Sequence, residues 1–313
     1  MNNINKRYIM KKLLNTAGLV ILILVVYSLL QGLFTGLAIG GYTIYNIATG
    51  ALNPDITNIT AILKNPIVEK FSVDAMSIGL FLSSASMLLF MHVTKLYRLR
   101  KSLFTSIAFK PLLLSTALVL TSMFAMNIFV QWFPLENLLA NEFDGMSHNL
   151  FGAFTISILA PLLEEVMFRG AIQGRLMRNV RTPWTAIIAA ALVFGVFHMN
   201  PIQIVYATML GVVFGWIYYR TGSLMSVIVG HVLNNSVATV VTLLIGSENE
   251  IALLEENMSS KAAIASEIFT FLIFTALSLY IAIKLHRSLP AAPSPWHESD
   301  EVVEQPINIV LEE

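Results

Sequence analysis

Six polar side chains lie within apolar stretches of the sequence, and their types suit the activation of a water molecule. They comprise two carboxylates, one guanidinium, two imidazoles and one amide: Glu164, Glu165, Arg169, His198, His231 and Asn235. A positioned carboxylate can take a proton from water, and imidazole and amide groups can stabilise the oxyanion that forms when this water attacks a carbonyl. The same carboxylate and imidazoles could instead hold Zn²⁺ and leave one coordination position open for water.

The spacing of these residues predicts which of them share a helix face. Glu165 and Arg169 are four residues apart, so they can pair and offset the cost of burying two charges. Glu164 is turned about 100° away from Glu165 and stays available for another partner. His231 and Asn235 are also four residues apart, so they present two polar groups on one face.

The depths of these groups in a membrane are also comparable. Asp, Lys or Arg at the centre of a spanning helix costs roughly 2.5–3.5 kcal/mol, so their concentration in one part of the chain needs a reason. We counted about 1.5 Å per residue from the expected inner ends of the helices, which places Glu164, the two imidazoles and Asn235 about 16–22 Å deep. We therefore expect them to converge on one intramembrane cavity if their helices are adjacent.

The composition indicates the elements that must position these side chains. Of the 313 residues, 56% are hydrophobic and 12% are charged, and the mean hydropathy is +0.72. Soluble domains carry about 25% charged residues, so an ordinary soluble globule is excluded. Nineteen basic and nineteen acidic residues cancel, which gives no net field for nucleic acid. The absence of cysteine from the sequence excludes a disulfide framework, cysteine-ligated metal and thiol catalysis.

We predict an all-α polytopic membrane protein, because eight apolar stretches approach the length of about 20 residues that a spanning helix needs. The predicted spans are residues 15–39, 76–93, 112–133, 149–176, 184–198, 202–219, 224–245 and 264–285. With the N-terminus inside, fifteen of the nineteen basic residues lie on the cytoplasmic side. The positive-inside rule therefore predicts that both termini are cytoplasmic. The protein is expected in the cell membrane if its source is bacterial.

The predicted organisation has three parts. Residues 1–14 form a basic cytoplasmic N-terminal tail, and residues 15–287 form the membrane domain, whose motif core is 149–245. Residues 288–313 are acidic and contain prolines, which predicts a disordered cytoplasmic tail. Two glycine patterns, at 32, 36 and 40 and at 211 and 215, predict close packing between helices.

Three short motifs in these spans resemble those of a known family. Glu164-Glu165-x-x-x-Arg169, Phe194-x-x-x-His198 and His231-x-x-x-Asn235 are similar to the three motifs of the CAAX protease and bacteriocin-processing family, also called Abi. The motifs cover about seventy residues, with no departure at the motif positions, and the eight-span layout is similar to the family's larger frame. The resemblance implies an intramembrane endopeptidase that acts on a membrane-associated or prenylated protein or peptide within the lipid bilayer.

The resemblance also implies a role for each motif residue. Glu164 is expected to be the general base, His198 to help hold the water, and His231 with Asn235 to stabilise the oxyanion. Glu165 and Arg169 are expected to support the first glutamate. The cofactor stays open at this point. Either Zn²⁺ is held by Glu164, His198 and His231, or the mechanism is independent of metal.

Two other classes of function are compatible with the same residues. One is a non-catalytic membrane scaffold or bacteriocin-immunity protein that keeps the fold and binds peptides. The other is an ion-coupled transporter that uses the buried charges as a path. Other intramembrane protease chemistries are disfavoured, because the sequence contains neither a His-Glu-x-x-His zinc motif nor a Gly-x-Ser-x-Gly nucleophile turn.

Overall fold

The structure is a computed structural model that describes residues 3–52, 59–96, 108–180, 182–246 and 261–290. Within these ranges, side chains are described from Leu14 onward, except at Ile59 and Leu63. Within these ranges the chain forms helices and no β-strand. Residues 291–313, which make up nearly all of the predicted disordered tail, lie outside the described residues.

Ten helices follow one another along the described chain. They are α1 (Asn3–Ala48), α2 (Ile59–Leu63), α3 (Pro66–Thr94), α4 (Phe109–Gln131), α5 (Ala140–His148), α6 (Leu150–Asn179), α7 (Pro183–Phe197), α8 (Pro201–Thr221), α9 (Met225–Ile245) and α10 (Lys261–Ser288). Neighbouring helices pack most extensively in three pairs, which are α1 with α3, α7 with α8, and α4 with α10.

Seven of these helices are long and apolar enough to cross a membrane, namely the segment Leu14–Ala48 of α1 together with α3, α4, α6, α8, α9 and α10. The prediction of an all-α, multi-pass integral membrane protein is therefore confirmed. The fifth predicted span is α7, which has 15 residues. At about 1.5 Å per residue it is roughly 22 Å long, against a hydrocarbon core of about 30 Å. The cytoplasmic placement of the termini stays a prediction.

Prolines near both ends of α7 limit its length. Pro183 occupies the first turn of α7, where its missing N–H has no intrahelical role. Met199, just beyond the other end, adopts a φ of 49°, and Pro201 then begins α8. The chain therefore reverses directly after His198, so the second motif lies at a helix end.

The central helix α6 departs twice from α-helical geometry. Its segments Thr155–Leu159 and Glu165–Gln173 are π-helical. Pro161 cannot donate to the carbonyl of Ser157, and its ring would clash with that carbonyl in a regular helix. This proline is a physical reason for the first distortion. π-Helical turns are rare and frequently occur at functional sites, and the second segment begins at the motif residue Glu165.

Glycines allow α7 and α8 to approach closely. A Cβ atom on Gly211 would lie 3.1 Å from the Cβ of Ala191, and one on Gly195 would lie 2.6 Å from the Ile204 carbonyl oxygen. In contrast, Cβ atoms on Gly32, Gly36 and Gly40 would meet no atom within 4 Å in the described chain. The close packing predicted for the glycine pattern at 211 and 215 is found, whereas that predicted for 32, 36 and 40 is not found among the described residues.

We expect Gly195→Ala to destabilise the protein by about 1–3 kcal/mol, because overpacking a tight contact forces the backbone apart. The added methyl group would meet a backbone carbonyl and the side chain of Thr208, both on α8. Gly36→Ala is the matched control, since its methyl group would enter open space. Unfolding in detergent micelles measures both changes, and equal stabilities for the two variants would contradict the packing described here.

Candidate active site

Helix α6 carries the first motif into the protein interior. The guanidinium of Arg169 donates from Nη1 to Oε1 of Glu165 at 3.0 Å, and both side chains are almost completely buried. Nη2 of Arg169 donates to the carbonyl of Gly211 on α8 at 3.2 Å. The guanidinium carbon also lies 4.5 Å and 5.1 Å from the ring centroids of Phe194 and Phe214. The predicted ion pair is therefore present, and two aromatic faces and a backbone carbonyl fix it.

His231 on α9 lies between the two carboxylates of the first motif. Its Nδ1 is 2.8 Å from Oε1 of Glu165, and its Nε2 is 3.6 Å from Oε2 of Glu164. Because Oε1 of Glu165 also accepts a hydrogen bond from Arg169, we assign the proton of the second hydrogen bond to Nδ1 of His231. The Nε2 atom is therefore directed toward Glu164.

Glu164 and His198 face a common cavity. The side chain of Glu164 is 15% exposed, whereas that of Glu165 is fully buried. His198 follows α7 directly, and its Nδ1 donates to the carbonyl of Phe194 at 2.9 Å. Its ring packs edge-to-face on the ring of Phe194 at a centroid distance of 4.9 Å. The spacing within the second motif thus orients the imidazole and leaves Nε2 for another partner.

Asn235 ends a chain of hydrogen bonds that the sequence analysis did not identify. Tyr206 donates from its hydroxyl to Oδ1 of Asn234 at 2.8 Å, and Nδ2 of Asn234 donates to Oδ1 of Asn235 at 2.9 Å. Nδ2 of Asn235 donates to the carbonyl of Ile156 at 2.9 Å. Ile156 lies in the first π-helical segment of α6. The sequence did contain a signal for Asn234, because this residue is a second amide directly before Asn235 in an apolar span.

Two cavities, each of about 760 Å³, meet at these residues. Cavity 1 is bordered mainly by α1, α3, α5, α6 and α7, and Glu164 lies on its wall. Cavity 2 is bordered mainly by α4, α8 and α9, and His231 lies on its wall. The residues on the walls of both are Phe143, His198, Gln203 and Asn235. Both volumes lie in the range of about 300–1,000 Å³ that is typical of ligand pockets.

The three side chains that the sequence suggests as zinc ligands do not form a ligand set in this arrangement. The Nε2 atoms of His198 and His231 are the nitrogens available to a metal, since their Nδ1 atoms are bonded to the Phe194 carbonyl and to Glu165. No group of three His, Asp or Glu side chains in the described part of the chain is placed to hold a metal ion. The donors present therefore do not fit a zinc site with three protein ligands, and no chemical step is derived through one.

The fold and the site define a multi-pass helical membrane protein with paired carboxylates, imidazoles and amides in its core. Comparison with known families shows that residues 146–237 match the type II CAAX prenyl endopeptidase Rce1-like family. This range includes all three motifs. This part of the chain is therefore similar to a family of CAAX prenyl endopeptidases, in agreement with the resemblance that the three motifs carry.

One curated protein is also similar to part of the chain. The chain is 29% identical over 87 residues to the "Putative membrane peptidase YdiL" of Bacillus subtilis (strain 168). The aligned segment covers 28% of this chain and 35% of that protein, so it spans about a third of the relative's length. No solved structure matches the chain.

Proposed function

We propose that this protein is an intramembrane endopeptidase that hydrolyses a peptide bond in a membrane-associated or prenylated protein or peptide. The observation that carries the proposal is the placement of His231 between a buried, arginine-paired carboxylate and a second carboxylate that faces a cavity. Glu164 is the group free to act on water, and the Glu165–Arg169 pair holds His231 in place. The similarity of residues 146–237 to the Rce1-like family and of part of the chain to a putative membrane peptidase supports a membrane peptidase.

The first chemical step is the attack of water on the scissile carbonyl. Glu164 accepts a proton from water, with His198 helping to hold that water through Nε2. The oxygen of the water forms a bond to the carbonyl carbon, and the π electrons of the carbonyl move to its oxygen. This creates a tetrahedral intermediate with a negatively charged oxygen, while Glu164 is now a carboxylic acid.

Donors on α9 stabilise the oxyanion. Asn235 has two N–H groups, one of which donates to Ile156, so the other can donate to the oxyanion. His231 contributes an Nε2–H when both of its nitrogens carry protons. In that state the charges of Arg169 and His231 balance those of Glu164 and Glu165 before the attack. Once Glu164 has taken the proton, the oxyanion replaces it in this balance.

The second step breaks the peptide bond. The intermediate collapses, the carbonyl re-forms, and the C–N electron pair leaves with the amine. Glu164 returns its proton to the leaving nitrogen, so a single carboxyl group serves as base and then as acid. The products leave the site as a carboxylic acid and an amine, which ionise in water, and Glu164 returns to its initial carboxylate form.

Reconstitution tests this function directly. We expect purified wild-type protein in liposomes to cleave at least one of two reporters, a farnesylated peptide or an unmodified peptide with an apolar membrane anchor. Mass spectrometry identifies the new termini, and metal content is measured on the same sample. Cleavage that is lost together with near-stoichiometric zinc on chelation would contradict the metal-independent mechanism.

The other classes of function give different results in the same liposomes. Substrate flux that depends on Glu164 without proteolysis would indicate a transporter instead. Biological function that survives loss of Glu164 and both histidines would indicate a non-catalytic scaffold or immunity protein. Either result would contradict the peptidase proposal.

A further inference from the structure

The residues of the proposed mechanism lie at the junction of cavities 1 and 2 and not at the end of one pocket. Glu164 is on the wall of cavity 1, whereas His231 is on the wall of cavity 2. His198 and Asn235 contribute to both walls. A peptide bond placed at this junction therefore has one cavity on each side, and each is large enough for several atoms of the flanking chain.

The wall of cavity 1 is suited to apolar groups. Val20 and Leu24 of α1 face it from one side, and Leu192 and Val196 of α7 face it from the other. The side chains of Leu192 and Val196 are also about half exposed on the outer surface of the bundle, at 51% and 61%. This wall is therefore continuous with the surface that contacts lipid.

The wall of cavity 2 carries several uncharged amides. Asn127 and Gln131 are four residues apart on α4 and both face the cavity. Asn137, Gln203 and Asn234 add further amides. Polar side chains in membrane spans usually face a water-filled cavity or take part in a function. The proposed chemical steps use neither Asn127 nor Gln131. Both residues also lie outside the matched range 146–237.

The charge on the walls differs as well. Glu142 and Glu164 line cavity 1, whereas the described wall of cavity 2 contains no Asp, Glu, Lys or Arg. Asn and Gln each offer both donors and acceptors, which is what an extended backbone needs when it leaves water. A charged side chain or a free carboxylate would lose its hydration in cavity 2 without meeting an opposite Lys or Arg.

We propose that cavity 2 is the binding site for an uncharged, extended peptide segment on one side of the scissile bond. Cavity 1 holds the flank that carries the apolar or lipid anchor. The inference rests on the proposed peptidase function, and it states which part of the substrate binds on each side of the same site. Asn127 and Gln131 pair with the backbone of the bound segment. The described wall contains no Asp, Glu, Lys or Arg, which selects against acidic and basic residues in that segment.

Cross-linking in an inactive protein tests this assignment. The sequence contains no cysteine, so Asn127→Cys in cavity 2 and Leu24→Cys in cavity 1 each introduce a single thiol. Both are combined with Glu164→Gln to prevent cleavage. The probe is a synthetic peptide with a farnesylated end, a neutral segment of Ser, Ala and Gln, and a bromoacetyl group at the far end. Gln131→Cys is the second cavity 2 variant if Asn127→Cys does not fold.

We expect the bromoacetyl end to alkylate Asn127→Cys about 100-fold faster than the same peptide without farnesyl, because the seated anchor raises the effective concentration of the reactive end. Leu24→Cys should show no such acceleration. Replacing two neutral residues of the probe by glutamate should remove the acceleration at Asn127→Cys. Equal labelling at both positions, labelling at Leu24→Cys alone, or labelling at neither position would overturn the assignment.

The experiment separates this inference from the proposed function, because it measures binding in a protein that does not cleave. Accelerated labelling of Asn127→Cys by a probe that wild type leaves intact supports the assignment of cavity 2 and contradicts the peptidase. Cleavage by wild type without accelerated labelling at Asn127→Cys or Gln131→Cys overturns the cavity assignment and retains the peptidase.

Discussion

Replacing Glu164 by glutamine is expected to lower kcat by about 10²–10⁴-fold, which is the typical contribution of a positioned general base. The amide keeps the size of the side chain but does not take a proton from water as the carboxylate does. Glu164 is the more accessible of the two adjacent carboxylates, and its Oε2 atom lies 3.6 Å from Nε2 of His231. Its loss should therefore affect chemistry far more than folding. Initial rates with the cleaved reporter in liposomes measure the change.

Glu267→Gln is the control for this variant. Glu267 is a carboxylate on the spanning helix α10 and lies on neither cavity wall. The control should retain wild-type kcat and a wild-type amount of folded protein. His198→Ala and His231→Ala are expected to abolish cleavage without reducing folded protein. Full turnover by purified Glu164→Gln would show that another group acts as the base.

The local parts of this site could be predicted from the sequence because helical spacing determines them. Glu165 and Arg169 are four residues apart and do pair, even though they lie in a π-helical segment. The hydrogen bond from His198 to the Phe194 carbonyl likewise spans one helical turn. The separation of Glu164 from this pair also follows from its position one residue earlier in the helix.

The contacts between helices could not be predicted, because they depend on which spans are neighbours. Glu165 and His231 are 66 residues apart in the chain and meet because α6 and α9 pack together. The sequence placed Glu164 and both imidazoles at similar depth, but it did not reveal that His231 is hydrogen-bonded to Glu165. The hydrogen bond from Tyr206 to Asn234 is a further contact of this kind.

The span count shows a different limit of the sequence. Residues 184–198 are as apolar as the other spans, and the sequence predicts a helix there, which the structure contains as α7. This helix is shorter than a helix that crosses the whole membrane, because it begins at Pro183 and the next helix already begins at Pro201. The short helix ends at Phe197, so His198 lies at a helix end and on the walls of both cavities. A hydropathy pattern detects an apolar stretch but not which of its residues ends the helix.

Arg169→Met is expected to reduce the free energy of unfolding by about 3–5 kcal/mol, because removing one partner of a buried pair strands the other charge. The carboxylate of Glu165 is fully buried, and its Oε2 atom has no hydrogen-bond partner in the described structure. Without the guanidinium, His231 is the remaining partner of this carboxylate. Unfolding by increasing denaturing detergent in mixed micelles measures the loss.

The double variant Glu165→Gln with Arg169→Met separates charge from packing. It removes both charges, so it should recover much of the stability that Arg169→Met loses. Arg175→Met is the control on the same helix, where Arg175 is half-buried, and it should cost less than about 1 kcal/mol. The double variant should still be inactive, because an amide at 165 no longer holds His231 as the carboxylate does. Recovery of stability without recovery of cleavage would show that the buried pair serves the position of His231. A double variant as unstable as Arg169→Met would instead show that the loss comes from the contacts of Arg169 with Phe194 and Phe214.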